Sequence, residues 1–174
     1  ILSFKRKYAP SEDWIKKFFY CCNEKGLAVI SLPYPQEENS LNVDVNISLP
    51  ISPIEWYNII KYSVGYVGNN MHPIIVSIHN AVPFFSFDYY GYTKWKLVTR
   101  KVCLECSKIY DLCQKFDLLD YYSNVQMRNY QFPNPEVVFD RIYNFDKEKA
   151  IFLAKKRVND YKDLMCDIEK VINE

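Results

Sequence analysis

One of the two histidines in this chain stands where a ligand could be held. His72 ends the stretch Gly68-Asn69-Asn70-Met71-His72, and either asparagine can cap a helix that begins near Met71. The first turn of a helix carries the positive end of the dipole, so an imidazole there suits an anionic ligand or a proton transfer. A histidine in that turn equally often bonds only to its neighbours. The other histidine, His79, is predicted at the end of the same helix, where it meets the last carbonyl groups.

Two further polar stretches are predicted to reach the same place. Lys5-Arg6-Lys7 follows an apolar strand over residues 1–4, and residues 88–94 follow another over 83–87. Ligands of open parallel sheets bind beyond the carboxyl ends of the strands. A basic strand exit, a helix N-terminus and a histidine together favour a phosphate or a carboxylate.

Cysteine usage favours a reducing compartment. The six cysteines lie mostly within helical patterns, where disulfide bridges are uncommon. Cys103 and Cys106 have C-x-x-C spacing, but no second pair or nearby histidine completes a zinc site. We therefore predict reduced thiols in a cytoplasmic protein, with no metal and no cofactor.

Composition excludes several classes of protein. The 174 residues carry a net charge of +1, and no basic stripe interleaves with aromatics, which argues against nucleic-acid binding. No apolar run approaches the ~20 residues that span a membrane, and no signal peptide is visible. Because residues 1–4 read as a strand already under way, we expect the chain to be an excised piece of a longer protein.

The first half of the chain alternates strands with helices. Strands are predicted at residues 1–4, 27–32, 43–47, 64–67 and 83–87, with intervening helices that begin at Ser11, at Ser52-Pro53-Ile54-Glu55 and near Met71. The strand over residues 27–32 is continuously apolar, which is typical of a parallel sheet buried on both faces. We predict an α/β fold: a Rossmann-like parallel sheet with helices on both faces, over residues 1–133.

The second half is predicted to be helical, over residues 102–116, 134–143 and 147–173. The last helix carries an apolar seam: Ile151, Ala154, Val158, Tyr161, Met165, Ile168 and Ile172. At ~1.5 Å per residue this helix is ~40 Å long, which exceeds the span of the domain. We expect residues 134–174 to form a C-terminal extension whose seam packs partly on another domain or a second copy, although it could instead wrap around this domain.

The central stretch resembles the C-terminal part of the polysaccharide pyruvyl transferase family. The similarity consists of a strand over residues 64–67, a polar segment ending in His72, a helix of small and apolar residues, and a strand opened by Pro83, followed by Asp88 and Lys94. It extends to about Ser123 and is weaker over residues 124–174.

This resemblance implies one half of a glycosyltransferase-B-like fold, in which two Rossmann-like domains face each other across a cleft. The chain would be the C-terminal, donor-binding domain, and the N-terminal domain of the same protein would be missing. The family moves the pyruvyl unit of phosphoenolpyruvate onto two hydroxyls of an acceptor glycan as a cyclic ketal, in cell-surface polysaccharide synthesis. The isolated domain would turn over little, because half of the cleft is absent.

The resemblance also implies residue roles. His72 would act as general acid at the enolpyruvyl carbon or bind the donor's carboxylate. Arg6 matches a basic position that would bind the phosphate, and Lys94 matches an assisting lysine. Lys5 and Asn69 complete the predicted donor site.

Asn70 belongs to the predicted donor site but departs from the family pattern. Many members carry an arginine at this position. Its loss removes a charge-assisted phosphate contact of ~1.5–3 kcal/mol. Either Lys5 or Lys7 compensates, or the donor differs, or catalysis is lost.

Two other functions remain open. One is a glycosyltransferase that uses a nucleotide sugar, although no glycine-rich turn with an acidic ribose-binding residue is visible. The other is a non-catalytic interaction domain that assembles through its last helix. The aromatic residues after Asp88 could stack on a sugar, but packing of their own loop is the simpler interpretation: Tyr89, Tyr90, Tyr92 and Trp95.

Overall fold

The computed structural model describes residues 1–34, 41–90, 92–96, 99–104, 107–129 and 131–172. The strands are β1 Leu2–Ser3, β2 Ile30–Ser31, β3 Val45–Asn46, β4 Tyr66–Gly68, β5 Phe84–Asp88, β6 Tyr92–Lys96, β7 Thr99–Cys103 and β8 Tyr122–Asn124. The helices are α1 Glu12–Asn23, α2 Pro53–Lys61, α3 Met71–His79, α4 Lys108–Lys115, α5 Pro135–Tyr143 and α6 Lys147–Ile172. Short 3₁₀ turns cover Arg6–Tyr8 and Leu119–Tyr121.

Six strands form one parallel sheet in the order β3-β2-β1-β4-β5-β8. The chain adds strands outward from β1 in one direction and outward from β4 in the other. The sheet therefore has a topological switch point between β1 and β4, which is where ligands of such sheets bind. The predicted Rossmann-like α/β fold is confirmed.

Helices cover both faces of this sheet. On one face, α1 and α5 bury Phe18 and Phe139 against Phe85 and Phe87 of β5. On the other face, α3 and α4 pack around Phe84 of the same strand. The whole of β5 is buried. Burial on both faces explains why apolar and polar residues do not alternate along this strand.

Helix boundaries follow the predicted caps. The Ser11 hydroxyl accepts a bond from the Trp14 N–H at 3.3 Å at the start of α1. Ser52 and Glu55 form both bonds of a capping box at α2. Gly26 follows α1 with a φ of 67°, a conformation that favours glycine.

The region after Asp88 differs from the prediction. Residues 102 and 103 belong to β7, which pairs with β6 as an antiparallel hairpin, and α4 begins only at Lys108. The apolar spacing of Ile109 and Cys113 continues back through residues 102–106 in steps of three and four, and this continuation caused the wrong helix start. Strand β8 was also missed, because its three residues carry no apolar pattern.

The C-terminal elements divide into a packed part and an exposed part. In α5, Val138 is fully buried and Phe139 meets Phe18 with ring centroids 6.2 Å apart. In α6, Ala150 is fully buried. From Lys155 onward, every position of α6 whose burial the structure describes is exposed. The predicted helix is confirmed, while the division of the chain at residue 133 stays a prediction.

Within the described part of the chain, no helix is both long enough and apolar enough to cross a bilayer.

Candidate functional site

A cavity of about 310 Å³ lies beyond the carboxyl ends of the central strands. Its walls come from the segments after β2, β4 and β5 and from the first residues of α3 and α4. Its lining residues are Tyr34, Asn69, Asn70, Met71, His72, Tyr90, Lys108 and Ile109. The sequence placed the ends of β1, β4 and β5 here. The lining contains residues that follow β4 and β5, and the structure adds Tyr34 after β2 and the start of α4.

His72 lies in the first turn of α3 and is exposed to the cavity side rather than packed in the core. The Asn70 side chain caps the helix by accepting a bond from the His72 backbone N–H at 3.3 Å. Pro73 has no N–H to offer. Because these two features reduce the number of available backbone donors, the imidazole and the dipole are the main features that α3 offers to an anion.

The end of β1 is tied to the end of β4 across the switch point. The Lys5 backbone N–H donates to the Asn69 side-chain oxygen at 3.0 Å, and the Asn69 amide donates to the Tyr8 carbonyl at 3.4 Å. The Lys5 ammonium lies 5.8 Å from the centroid of the Tyr34 ring, which lines the cavity. Lys5, Asn69, Asn70 and His72 therefore lie close together, as the sequence predicted.

Lys5 is not itself among the lining residues, and two further residues were predicted for the site, Arg6 and Lys94. Arg6 is exposed in the 3₁₀ turn after β1 and does not line this cavity. Lys94 lies in β6 opposite Lys101, and its side chain lies outside the part of the structure that is described. The roles of both residues stay predictions.

Lys108 is the lining residue that sequence reasoning missed as a site residue. It occupies the first position of α4, directly after the cap Ser107, whose hydroxyl accepts a bond from the Tyr110 N–H at 3.0 Å. The predicted helix over residues 102–116 placed this lysine in a helix interior. Ser107 is a preferred capping residue, and that signal would have located the true start.

A buried carboxylate supports the start of α4. Asp88, at the end of β5, is 1% exposed and accepts three hydrogen bonds from residues that the structure describes. They come from the Tyr90 N–H at 2.8 Å, the Tyr122 hydroxyl at 2.7 Å and the Ser107 hydroxyl. Burial and the nearby charge of Asp88 raise the pKa of Tyr122, which keeps its hydroxyl a donor. This network joins β5, β8 and the cap of α4 beneath the cavity.

The tyrosines after β5 divide into two roles. Tyr89 stacks on Tyr8 with centroids 4.4 Å apart and donates to the Tyr8 carbonyl, so it packs its loop. Tyr90 is 63% exposed and lines the cavity. The side chains of Tyr92 and Trp95 lie outside the described part.

The two buried thiols, Cys22 and Cys113, are poorly suited to act as nucleophiles. Burial raises the pKa of Cys22 to about 11 and that of Cys113 to about 12. Cys21 and Cys166 are also free thiols. Among the described residues, no group of three or more His, Cys, Asp or Glu side chains could hold a metal ion. Cys106 lies outside them.

Comparison with known proteins gives one match. The family model for polysaccharide pyruvyl transferase matches residues 2–91. A search of curated proteins and a search of solved structures gave no match. The matched segment runs from β1 to the cavity residue Tyr90 and includes the switch point and His72. Because it covers more than half of the 174 residues, the chain belongs to the polysaccharide pyruvyl transferase family.

Proposed function

We propose that this chain binds the donor of a pyruvyl transfer reaction, in which the pyruvyl unit of phosphoenolpyruvate is joined to two hydroxyls of an acceptor sugar as a cyclic ketal. The proposal depends on one observation: His72 and Lys108, each in the first turn of a different helix, line the same small cavity. Two helix dipoles and two basic groups there favour a small dianion or trianion.

The size and charge of the cavity fit this donor. Ligand cavities range over ~300–1,000 Å³, and about 310 Å³ suits a molecule as small as phosphoenolpyruvate. Lys108 and the start of α4 would bind the phosphate. Lys5, beside Tyr34, would add a second positive charge at the edge. Lys108 thereby supplies the charge that Asn70 does not carry.

His72 is the proposed general acid. Its imidazolium would give a proton to the methylene carbon of the enolpyruvyl group, which becomes a methyl group. The adjacent carbon would then form bonds to two sugar oxygens in turn. Its bond to the phosphate oxygen would break, and the two hydroxyl protons would pass to the returning imidazole and the departing phosphate.

The rest of the proposal concerns the whole protein. A further N-terminal domain would close the cleft and bind the acceptor glycan, so the 174-residue chain alone should bind donor but turn over little. Cys21, Cys22, Cys113 and Cys166 are free thiols, which supports a cytoplasmic location. The product would enter cell-surface polysaccharide synthesis.

Donor titration with matched variants tests this proposal. We expect Lys108→Ala to weaken phosphoenolpyruvate binding by roughly 10- to 150-fold, because one charge-assisted bond contributes ~1.5–3 kcal/mol. Lys115→Ala is the control: the same helix carries it, and it is exposed and bonded to Asp111 at 2.8 Å. His72→Ala is paired with His79→Ala, at the opposite end of α3.

Calorimetry or thermal shift gives the readout. Equal losses in a variant and its control would contradict the assignment of the cavity. Binding of a uridine or guanosine nucleotide sugar, with no response to phosphoenolpyruvate, would favour the glycosyltransferase alternative. If neither this chain nor the whole protein responds to either ligand, a non-catalytic interaction domain is favoured.

A further inference from the structure

An apolar groove lies on the side of the domain where α6 leaves it. The groove measures about 620 Å³ and lies between α3, α4 and α6, with Ile75, Leu112, Phe116 and Val158 among its lining residues. The Arg157 guanidinium donates to the Lys115 carbonyl at 2.7 Å, so this part of α6 is fixed to the domain. Ile75 is 43% exposed and Val158 is 51% exposed.

The apolar surface continues along the projecting part of α6. Tyr161, Leu164 and Met165 are 62%, 55% and 38% exposed. They follow Val158 at helical spacing, so the groove and the helix form one apolar strip. A contiguous exposed apolar strip of this kind is typical of an interaction surface.

The charges of α6 indicate what that partner is. Residues 147–158 contain five basic residues and one acidic residue, a net charge of +4. Residues 159–172, the rest of α6, contain four acidic residues and two basic residues, a net charge of −2. Each half is ~18 Å or more in length at ~1.5 Å per residue. This exceeds the Debye length of ~8 Å at physiological salt, so the two halves act as separate charged surfaces.

We propose that α6 pairs antiparallel with α6 of a second copy of this chain, about a two-fold axis near Tyr161. In that arrangement the acidic half of each helix lies on the basic half of the other, and Leu164 of one copy approaches the Val158 end of the other copy's groove. Parallel pairing would instead place like charges together along the whole length. The same surface then serves both copies, as a two-fold dimer requires.

Charge reversal tests the orientation. An acidic variant carries Lys147→Glu, Lys155→Glu and Lys156→Glu, and each replacement changes the charge by two, so the first half goes from +4 to −2. A basic variant carries Asp160→Lys, Asp163→Lys and Asp167→Lys, which takes the second half from −2 to +4. Circular dichroism checks that both variants retain their helix content.

Sedimentation equilibrium gives the result. We expect the wild-type protein to be a dimer of 20.7 kDa chains, and each variant alone to dissociate with a Kd raised about 10-fold or more. An equimolar mixture of the two variants should regain the dimer. The proposal would be overturned if the wild-type protein were a monomer at a chain concentration of about 100 µM. It would also be overturned if either variant alone self-associated as well as the wild type.

The apolar contribution has its own matched control. Leu164→Gln should weaken the dimer, whereas Ile54→Gln, at a 74% exposed position on α2, should not. Equal effects of the two substitutions would mean that the dimer uses another surface, and the inference would fail.

Discussion

Asp88 offers the sharpest test of how the fold positions the candidate site. Its Oδ1 accepts from the Tyr90 N–H, and its Oδ2 accepts from the Tyr122 and Ser107 hydroxyls. Each of these hydroxyls also accepts a hydrogen bond. Tyr122 accepts from the Asn124 side-chain amide, and Ser107 accepts from the Tyr110 N–H in the first turn of α4. Their protons are therefore directed at Asp88.

Replacement of Asp88 by asparagine cannot satisfy this arrangement. If the amide oxygen takes the place of Oδ2, the amide nitrogen faces the Tyr90 N–H, and two donors meet. In the opposite orientation the nitrogen faces both hydroxyl protons. Either way a buried donor is left without an acceptor, and the remaining bonds lose their charge assistance. We expect a loss of about 2–4 kcal/mol in the free energy of unfolding.

Urea unfolding of wild type and Asp88→Asn measures this loss. Asp117→Asn is the matched control, because Asp117 is 78% exposed, has a φ of 51° that asparagine tolerates, and loses only a surface ion pair with Lys149. The control should stay within about 1 kcal/mol of wild type. If the two variants lose the same stability, the network does not support the start of α4 as described.

Two further changes test backbone packing and burial. Gly68→Ala should lower the free energy of unfolding by about 3 kcal/mol or more, because an added Cβ overlaps the Ser3 carbonyl and the Tyr66 hydroxyl. Gly26→Ala is the control: its Cβ meets open space at a φ of 67°, so the loss should be only about 1–2 kcal/mol. A larger loss in Gly26→Ala than in Gly68→Ala would refute this reasoning. Because burial raises the pKa of Cys22 from 9.0 to about 11, its contribution to stability is present below pH 9.0 and is lost as the pH rises toward 11. The free energy of unfolding should therefore fall less steeply over this pH range in Cys22→Ala than in wild type.

The sequence predicted those parts of the fold that local chemistry determines. Apolar strands without alternation predicted the parallel sheet, and the caps at Ser11, Ser52 and Asn70 predicted three helix starts. The predicted proximity of Lys5 to Asn69 is confirmed by their hydrogen bond. It follows from sheet geometry, because the carboxyl ends of adjacent parallel strands share one edge.

Tertiary pairing determines what the sequence did not predict. The hairpin of β6 and β7 depends on backbone pairing between strands, with Tyr92 in register with Cys103, which a helical reading of residues 102–106 cannot detect. β8 is a strand because β5 presents an open edge to Tyr122, Ser123 and Asn124. The start of α4, which brings Lys108 to the cavity, is bonded through Ser107 to Asp88, and Asp88 also accepts from Tyr122 of β8.

The asparagine at position 70, where many family members carry an arginine, has a structural explanation. Asn70 caps α3 with its side chain, a contribution to stability of ~1 kcal/mol that an arginine would not make. An arginine here would gain a contact with the phosphate of the proposed donor and lose the cap that orients the turn containing His72. Lys108 lines the same cavity from α4, so a positive charge is present without disturbing α3. The substitution is therefore compatible with donor binding, provided that the Asp88 network keeps α4 in place.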